Sequence, residues 1–438
     1  MRRTQLWGRP RMLTALCVAV LAIGVAACGD ENSSNSGGNS VETNSAAAAN
    51  ASKCGLGNGK KASGEPIKLG AIITKQPGTD FTDISNMAKA YFDCVNDNGG
   101  INGRPVQYVV ETEQTNPQQV ASLATKLLEN DKVLGLVGNT SLIDCAVNLK
   151  YYEKQKINLI ANGVARECYF SENIRDINMG PYYSTVGAAQ YLINQGAKSI
   201  VAATLKAPGT DFNNQGAVEL AKQNGIPGKS VTEVVPINDG PGLALKLVQA
   251  AGDGGGVVLD FIPPEALKVL QGAEQQGLID KVKWACATPC NDASIASALG
   301  PAWNDKLGIN AELNLVDSTG PDNQLYLQIA KKYAPKVAIG SFSQMGFTDA
   351  MLATKALLSI KGDVTKEAVN QSFKDLKDVK TDILCNPWTF GDGVRLANDA
   401  DRTIVPQDHK FVEKEKCFDI AALPSNNLAE QRKADAGQ

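Results

Sequence analysis

Histidine and aromatic residues are scarce in this sequence of 438 residues: it has one histidine, and aromatic residues make up 6% of it. A Ser-His-Asp triad or a Cys-His pair would therefore depend on His409. That residue lies in the polar segment PQDHKFVEKEK, which is typical of a solvated surface. The chain also lacks a G-x-S-x-G motif and a zinc-like spacing of cysteine and histidine. We therefore expect no enzyme, no cofactor and no metal site.

An excess of basic residues is also missing. The chain has 43 Lys and Arg against 46 Asp and Glu, and four of the arginines fall in the first 27 residues, which contain no acid. Beyond them, 39 basic residues stand against 46 acidic ones. We therefore expect no nucleic-acid partner. The chain is also too long for one compact core, which suggests two domains.

An apolar run after the N-terminal arginines is typical of a secretory signal. Residues 12–27 are too few for a membrane span and end in small residues. Residues 25–28, VAAC, resemble a bacterial lipobox, which would make Cys28 the lipidated first residue; a plain signal peptide with a chance cysteine is the alternative. Residues 30–51 are rich in Ser, Asn, Gly and Ala, which is typical of a flexible segment. We therefore predict a signal peptide at 1–27, a flexible tether at 28–65 and an extracytoplasmic protein anchored by lipid to the bacterial cell membrane.

Cysteines favour the same compartment. Of the ten, Cys17 would leave with the signal and Cys28 would take the lipid, which leaves eight. An even number in an exported chain favours disulfides over metal ligation, although many connectivities are open. The preferred pairing is sequential: Cys54–Cys94, Cys145–Cys168, Cys286–Cys290 and Cys385–Cys417.

Segment 67–110 has the pattern of a β–loop–α–turn–β unit. A short run of branched apolar residues begins at Ile67, an amphipathic helix starts at about Asp83, and Gly99-Gly100 end it. A second strand follows at 106–110. From residue 118 to residue 287, helical and strand patterns then alternate. This alternation predicts an α/β fold of parallel sheets covered by helices on both faces.

This opening resembles that of the type 1 periplasmic solute-binding proteins of branched-chain amino-acid ABC transporters. The resemblance rests on the strand, the loop, the helix that ends in NDNGGINGRPV, and the following strand; an ordinary βαβ unit of another α/β protein is the alternative. It implies two doubly wound lobes joined by a three-strand hinge, with crossings near residues 180–181, 308–315 and 385–388. The implied division is residues 66–180 and 315–384 for lobe 1, residues 181–314 and 385–422 for lobe 2, and a polar, frayed tail at 423–438. The family also implies a disulfide at Cys145–Cys168, joining the starts of two neighbouring helices.

Ligands of open α/β sheets meet the loops at the carboxyl ends of the strands. Those loops, together with the roles that the family assigns to them, nominate a set of ligand-binding residues. The candidates are Phe81, Asn139, Thr140, Ser141, Asn162, Gly163, Val164, Phe212, Asp260, Phe261, Thr288 and Phe347.

The resemblance gives several candidates a role. Loops 139–141 and 162–165 would hold a ligand carboxylate through hydroxyls and backbone N–H groups at helix N-termini, which suit an anion. Phe212 and Phe261 would close over the ligand from lobe 2. N-capping for the hydroxyls and core packing for the phenylalanines are the alternatives.

One departure from the family affects the expected ligand. Amino-acid binders place a lobe 2 carboxylate against the ligand ammonium at the loop that matches 288–291, but this chain has Thr-Pro-Cys-Asn there. A buried ammonium without a partner is costly. An amino acid is therefore expected only if Asp260 or Asp292 reaches the cleft. Otherwise the phenylalanines favour an amine-free carboxylate, for example an aromatic one.

The resemblance implies a monomeric extracytoplasmic lipoprotein that captures a small molecule by hinge closure. It would deliver that molecule to an ABC permease with ATPase subunits on other chains, and the permease would recognise the closed form. A ligand-sensing protein of the same fold, acting through a partner receptor, is the alternative.

Overall fold

The computed structural model describes residues 53–437. The predicted signal peptide, the lipidation site at Cys28 and the tether up to residue 52 lie outside the described residues. Within residues 53–437, no helix has both the length and the apolar character that a membrane crossing needs.

The first of two sheets has five parallel strands. Its strands, with a short antiparallel extension, are β1 (Ile67–Gln76), β2 (Thr79–Asp80), β3 (Val106–Glu113), β4 (Gly135–Asn139), β5 (Leu159–Ala161) and β6 (Ile174–Asp176). The parallel order is β3-β1-β4-β5-β6, and β2 folds back on the end of β1. Strands β4, β5 and β6 are buried along their whole length, as expected for a parallel sheet that helices cover on both faces.

The second sheet has five parallel strands followed by an antiparallel hairpin. Its strands are β7 (Ile200–Leu205), β8 (Gly228–Glu233), β9 (Gly256–Asp260), β10 (Lys283–Cys286), β11 (Leu307–Asn310), β12 (Ala400–Gln407) and β13 (Lys410–Asp419). Their order is β13-β12-β11-β10-β9-β7-β8. His409 lies in the exposed turn between β12 and β13.

Helices flank both sheets. In chain order they are α1 (Thr82–Asp97), α2 (Pro117–Thr125), α3 (Asp144–Gln155), α4 (Arg166–Tyr169), α5 (Gly180–Asn194), α6 (Gln215–Gln223), α7 (Gly240–Ala251), α8 (Pro263–Gln275), α9 (Ala293–Ala298), α10 (Pro321–Tyr333), α11 (Ser341–Ser359), α12 (Lys366–Lys374) and α13 (Leu428–Asp435). Helices α1 and α11 approach each other closely, and a Cβ on Gly346 would collide with the carbonyl oxygen of Ile84. Glycine at this position therefore lets the two helix backbones approach each other.

The strand order reverses once in each sheet. In the first sheet, β3 lies on one side of β1 and β4 on the other; in the second, β8 and β9 flank β7 in the same way. The chain passes from the first sheet to the second between β6 and β7, returns through α10, which packs on α1, and passes again to β12. The fold class is confirmed: two α/β sheets dominated by parallel strands. The residue limits of the lobes stay a prediction.

Disulfides join the same four cysteine pairs that the sequence favours. Cys145 lies in the first turn of α3 and Cys168 in α4, so this bond joins the starts of two neighbouring helices. All eight cysteines of the described chain are therefore paired.

The end of the predicted tether is packed on the fold. Residues 53–65 were assigned to the tether, but Cys54 is bonded to Cys94 of α1, and both are buried. The backbone N–H of Ala62 also donates to the carbonyl of Asn96. Composition alone could not reveal this packing, because the covalent bond and the backbone contacts hold a segment that has little apolar surface.

The predicted frayed tail also forms a packed helix. Leu428 of α13 is 1% exposed, and Asp435 pairs with Arg395 at 2.6 Å. A further difference concerns β8, which was expected at 231–237 and ends at Glu233. Pro236 lacks an N–H group and cannot continue a strand ladder, and Val234 is 63% exposed.

Candidate ligand-binding site

A cavity lies where the strand order of both sheets reverses. Residues from the first sheet's side contribute one wall, residues after β7, β9 and β10 contribute the other, and the crossing segments contribute the base. This is the location that the carboxyl-end rule predicts for a ligand site in open α/β sheets. Of the nominated residues, the cavity is lined by Phe81, Thr140, Asn162, Val164, Asp260, Phe261 and Thr288.

Much of the cavity surface is apolar. Phe81, directly before α1, packs edge-to-face on Phe342 of α11, with ring centroids 5.4 Å apart. Phe261 follows β9 on the opposite wall and is 2% exposed. Met345 and Leu142 complete the first wall. The cavity therefore suits a ligand with a substantial apolar body.

Asn139 and Ser141 are engaged within the protein and do not line the cavity. The Asn139 side chain accepts from the N–H of Ile72 at 3.2 Å and donates to Asp144 at 2.9 Å. The Ser141 hydroxyl donates to Glu113 at 2.8 Å and accepts from the N–H of Asp144, the first residue of α3, at 3.0 Å. The side-chain donors of both residues are therefore hydrogen-bonded to carboxylates of the protein itself.

The loop after β5 is arranged in the same way. The side-chain N–H of Asn162 donates to Asp349 at 2.5 Å, and the backbone N–H of Gly163 donates to Asp176 at 2.6 Å. Burial raises the pKa of Asp349 well above its usual value and that of Asp176 to about 7. Asn162 still presents an acceptor, because its Oδ1 atom is buried without a hydrogen-bond partner among the described residues.

Asp260 ends β9 on the second wall. Its carboxylate accepts from the hydroxyl of Thr204 at 2.7 Å and from the side-chain N–H of Asn213 at 3.3 Å. Burial raises the pKa of Asp260 to about 6. Thr288, on the neighbouring loop, donates through its N–H to the Ser184 hydroxyl oxygen at 2.8 Å.

Glu312 lines the cavity base but was not among the sequence candidates. It follows β11 by two residues, is 1% exposed and accepts from the N–H of Met179 at 2.6 Å. Burial raises the pKa of Glu312 to about 8. The carboxyl-end rule also applies to Glu312, because the short strand LGIN ends two residues before it; the family resemblance marks 308–315 only as a crossing.

The model of the periplasmic binding protein family matches residues 66–403. The chain belongs to this family. The resemblance to type 1 periplasmic binding proteins of branched-chain amino-acid ABC transporters is thereby confirmed. This is a family of extracytoplasmic substrate-binding proteins rather than of enzymes. Among curated proteins, none matches the sequence.

Solved structures similar to this periplasmic binding protein share its fold at low sequence identity. A fatty acid ABC transporter substrate-binding protein from Thermomonospora curvata is 18% identical, with a TM-score of 0.71 over 83% of this chain and 95% of that one. A branched-chain amino acid ABC transporter protein from Thermus thermophilus with bound valine is 16% identical, with a TM-score of 0.72 over 82% and 98%. A solute-binding protein from R. palustris in complex with 4-hydroxybenzoate is 19% identical, with a TM-score of 0.67 over 82% and 98%.

Two nominated phenylalanines of this periplasmic binding protein lie away from the cavity lining. Phe212 stacks on Tyr182 at 4.5 Å between ring centroids. Phe347 is fully buried and packs edge-to-face on Tyr91 at 5.2 Å. Phe342 lies at the cavity instead, because its position on α11 shares a helix face with Met345, three residues on.

Asp292, the second acid considered for a ligand ammonium, is the N-cap of α9. Its carboxylate accepts from the N–H of Ser294 at 2.7 Å, and it is not part of the cavity lining. The acids at the cavity of this periplasmic binding protein are therefore Asp260 and Glu312.

Proposed function

We propose that this periplasmic binding protein captures a small molecule with an apolar body and a polar head, and delivers it to an ABC permease. The observation that carries the proposal is the cavity itself. It is enclosed by both walls at the two points where the strand order reverses. A ligand that contacts both walls binds the closed arrangement better and so shifts the population toward it.

The similar structures support transport. They are named as ABC transporter proteins, with a fatty acid, valine or 4-hydroxybenzoate in their names. The proposal includes lobe 1 at residues 66–180 and 315–384, lobe 2 at 181–314 and 385–422, a monomeric state, and a lipid anchor at Cys28. The permease and ATPase subunits would be separate chains.

The polar head group distinguishes the two ligand classes that the sequence favours, amino acids and amine-free carboxylates. An amine-free carboxylate would need free donors, whereas the nominated donors Asn139, Ser141 and Asn162 each donate to a carboxylate of the chain. An amine would find Asp260 and Glu312 at the cavity. We therefore propose a ligand that carries an amine.

Native mass spectrometry of the exported protein, purified without denaturation, tests the proposal. We expect a co-purifying small molecule whose uptake by the producing cells falls when the protein is deleted. Ile262→Trp, which fills the cavity from its second wall, should abolish co-purification. Leu245→Trp, at a partly exposed position on α7, is the matched control and should keep the ligand.

Two results would count against the proposal. Retention of the molecule by Ile262→Trp would place the ligand elsewhere. Uptake that does not depend on the protein, although the ligand binds in the cavity, would favour the sensing alternative.

A further inference from the structure

We propose that the solute carries a positively charged amine and no carboxylate, and that Glu312, Asp260 and Asn162 receive the amine. This inference rests on the proposed function, since it names the class of solute that the same cavity takes. Three independent features of the described chain support it.

The first feature is the charge of the cavity. Its lining includes two carboxyl groups, Asp260 and Glu312, and within residues 53–437 it includes no Lys, Arg or His. Neither acid forms an ion pair within the described chain, where every pair found within 4.0 Å joins other residues. Unpaired carboxylates in a buried site are costly, and a cation in the cavity would offset that cost.

The second feature is that three of the positions suited to a ligand carboxylate already hold carboxylates of the chain. At the start of α3, the Ser141 hydroxyl donates to Glu113, which is fully buried. In the loop before α4, the N–H of Gly163 donates to Asp176. At the start of α5, the N–H of Met179 donates to Glu312.

These interactions matter because helix N-termini and nearby N–H groups are the usual places for an anion. A ligand carboxylate would have to displace the internal acids to reach these donors. The arrangement therefore disfavours both an amine-free acid and the carboxylate end of an amino acid.

The third feature is an acceptor without a donor. Asn162 is fully buried and lines the cavity, its side-chain N–H is taken by Asp349, and its Oδ1 atom has no partner among the described residues. An ammonium group has three donors and no acceptor. Because Asn162 belongs to the first wall and Asp260 to the second, an amine bound to both would link the two lobes.

Two series of compounds, each with one apolar body and four different head groups, test the inference. The probes are phenethylamine, 3-phenylpropanoate, phenylalanine and 2-phenylethanol, together with isopentylamine, 4-methylpentanoate, leucine and isopentanol. Their binding to the purified exported protein would be measured by thermal shift and calorimetry. We expect at least one amine to bind at least about tenfold more tightly than its matched acid, amino acid and alcohol.

Substitutions of the two acids then show which carboxyl group contacts the amine. Glu312→Gln keeps an acceptor for the N–H of Met179 but cannot ionise against a bound amine, so amine affinity should fall by about tenfold or more while alcohol affinity stays unchanged. Asp260→Asn is the second variant, should Glu312→Gln fail to fold. Glu153→Gln, on the exposed surface of α3, makes the same charge change and should have no effect. Melting curves without ligand show whether each variant is folded.

The outcomes separate the inference from the proposed function. The inference is overturned if no amine of either series stabilises the protein, or if a matched acid or alcohol binds as tightly as the amine. It is also overturned if Glu312→Gln and Asp260→Asn both keep wild-type amine affinity. Tight binding of an acid that Ile262→Trp abolishes would refute the amine while leaving the proposed function in place. Co-purification that survives Ile262→Trp would instead count against the proposed function.

Discussion

Replacing Glu312 with glutamine is expected to stabilise the ligand-free protein, and by more at pH 8 than at pH 5. In the unfolded chain this carboxyl loses its proton near its ordinary pKa of 4.5, whereas burial raises its pKa in the folded protein to about 8. Between these values the folded state binds more protons than the unfolded state. The contribution of Glu312 to the free energy of unfolding therefore falls as the pH rises.

The expected size follows from the same two pKa values. One pKa unit corresponds to roughly 1.4 kcal/mol. Linkage over the interval from pH 5 to pH 8 then gives a loss of roughly 3 to 4 kcal/mol for wild type. Glutamine does not titrate and keeps an oxygen that can accept from the N–H of Met179, which Glu312 accepts at 2.6 Å. The free energy of unfolding of the variant should therefore not show this contribution to the fall between pH 5 and pH 8.

Urea unfolding at pH 5 and pH 8 measures the effect, with the fluorescence of the buried residues Trp284, Trp303 and Trp388 as the probe. The difference in unfolding free energy between Glu312→Gln and wild type should be below about 1 kcal/mol at pH 5 and reach roughly 4 kcal/mol at pH 8. Other buried acids titrate in both proteins, so their contributions largely cancel. The exposed control Glu153→Gln should follow wild type. Equal differences at the two pH values would refute the reasoning.

Three further substitutions have expected outcomes. Phe342→Ala removes one aromatic ring from the cavity lining and should weaken solute binding by about tenfold in calorimetry. Phe212→Ala, outside the cavity, should leave the affinity unchanged, and equal effects of the two variants would contradict the assigned lining. Phe347→Ala should lower the free energy of unfolding in urea by about 4 kcal/mol, because the ring is fully buried in the core. The preferred ligand head group should not change; a changed preference would show that Phe347 contacts the ligand. Replacing Cys145 and Cys168 together with serine should cost about 3 kcal/mol in non-reducing urea unfolding, since the bond closes a loop with a sequence separation of 23; an unchanged midpoint would contradict this.

The periodicity of apolar residues was enough to predict the fold class. Buried parallel strands appear as short apolar runs, and helices between them show a 3.6-residue period, so the alternation was visible without coordinates. The carboxyl-end rule then reached Thr140, Asn162 and Asp260, because each directly follows a strand or ends one. The end of a strand depends mainly on the local sequence, so these positions could be predicted without the structure.

The remaining site features depend on contacts that are distant in sequence. Ser141 donates to Glu113, 28 residues earlier, and Asn162 donates to Asp349, 187 residues later. Neither pairing leaves a local pattern, so the sequence could not distinguish donors that face a ligand from donors already in use. The choice between Phe342 and Phe347 required the rotation of α11 about its axis, which tertiary packing decides.

The Cys54–Cys94 bond sets where the N-terminal part of the chain joins the folded protein. Ile84, near the start of α1, lines the cavity, whereas Cys94 lies ten residues further along the same helix, or about 15 Å away. A pull on the chain before Cys54 would therefore reach the far end of α1 through a covalent bond and would not peel β1 from its sheet. In mechanical terms, the attachment point of the N-terminal part and the ligand site therefore lie at opposite ends of one helix.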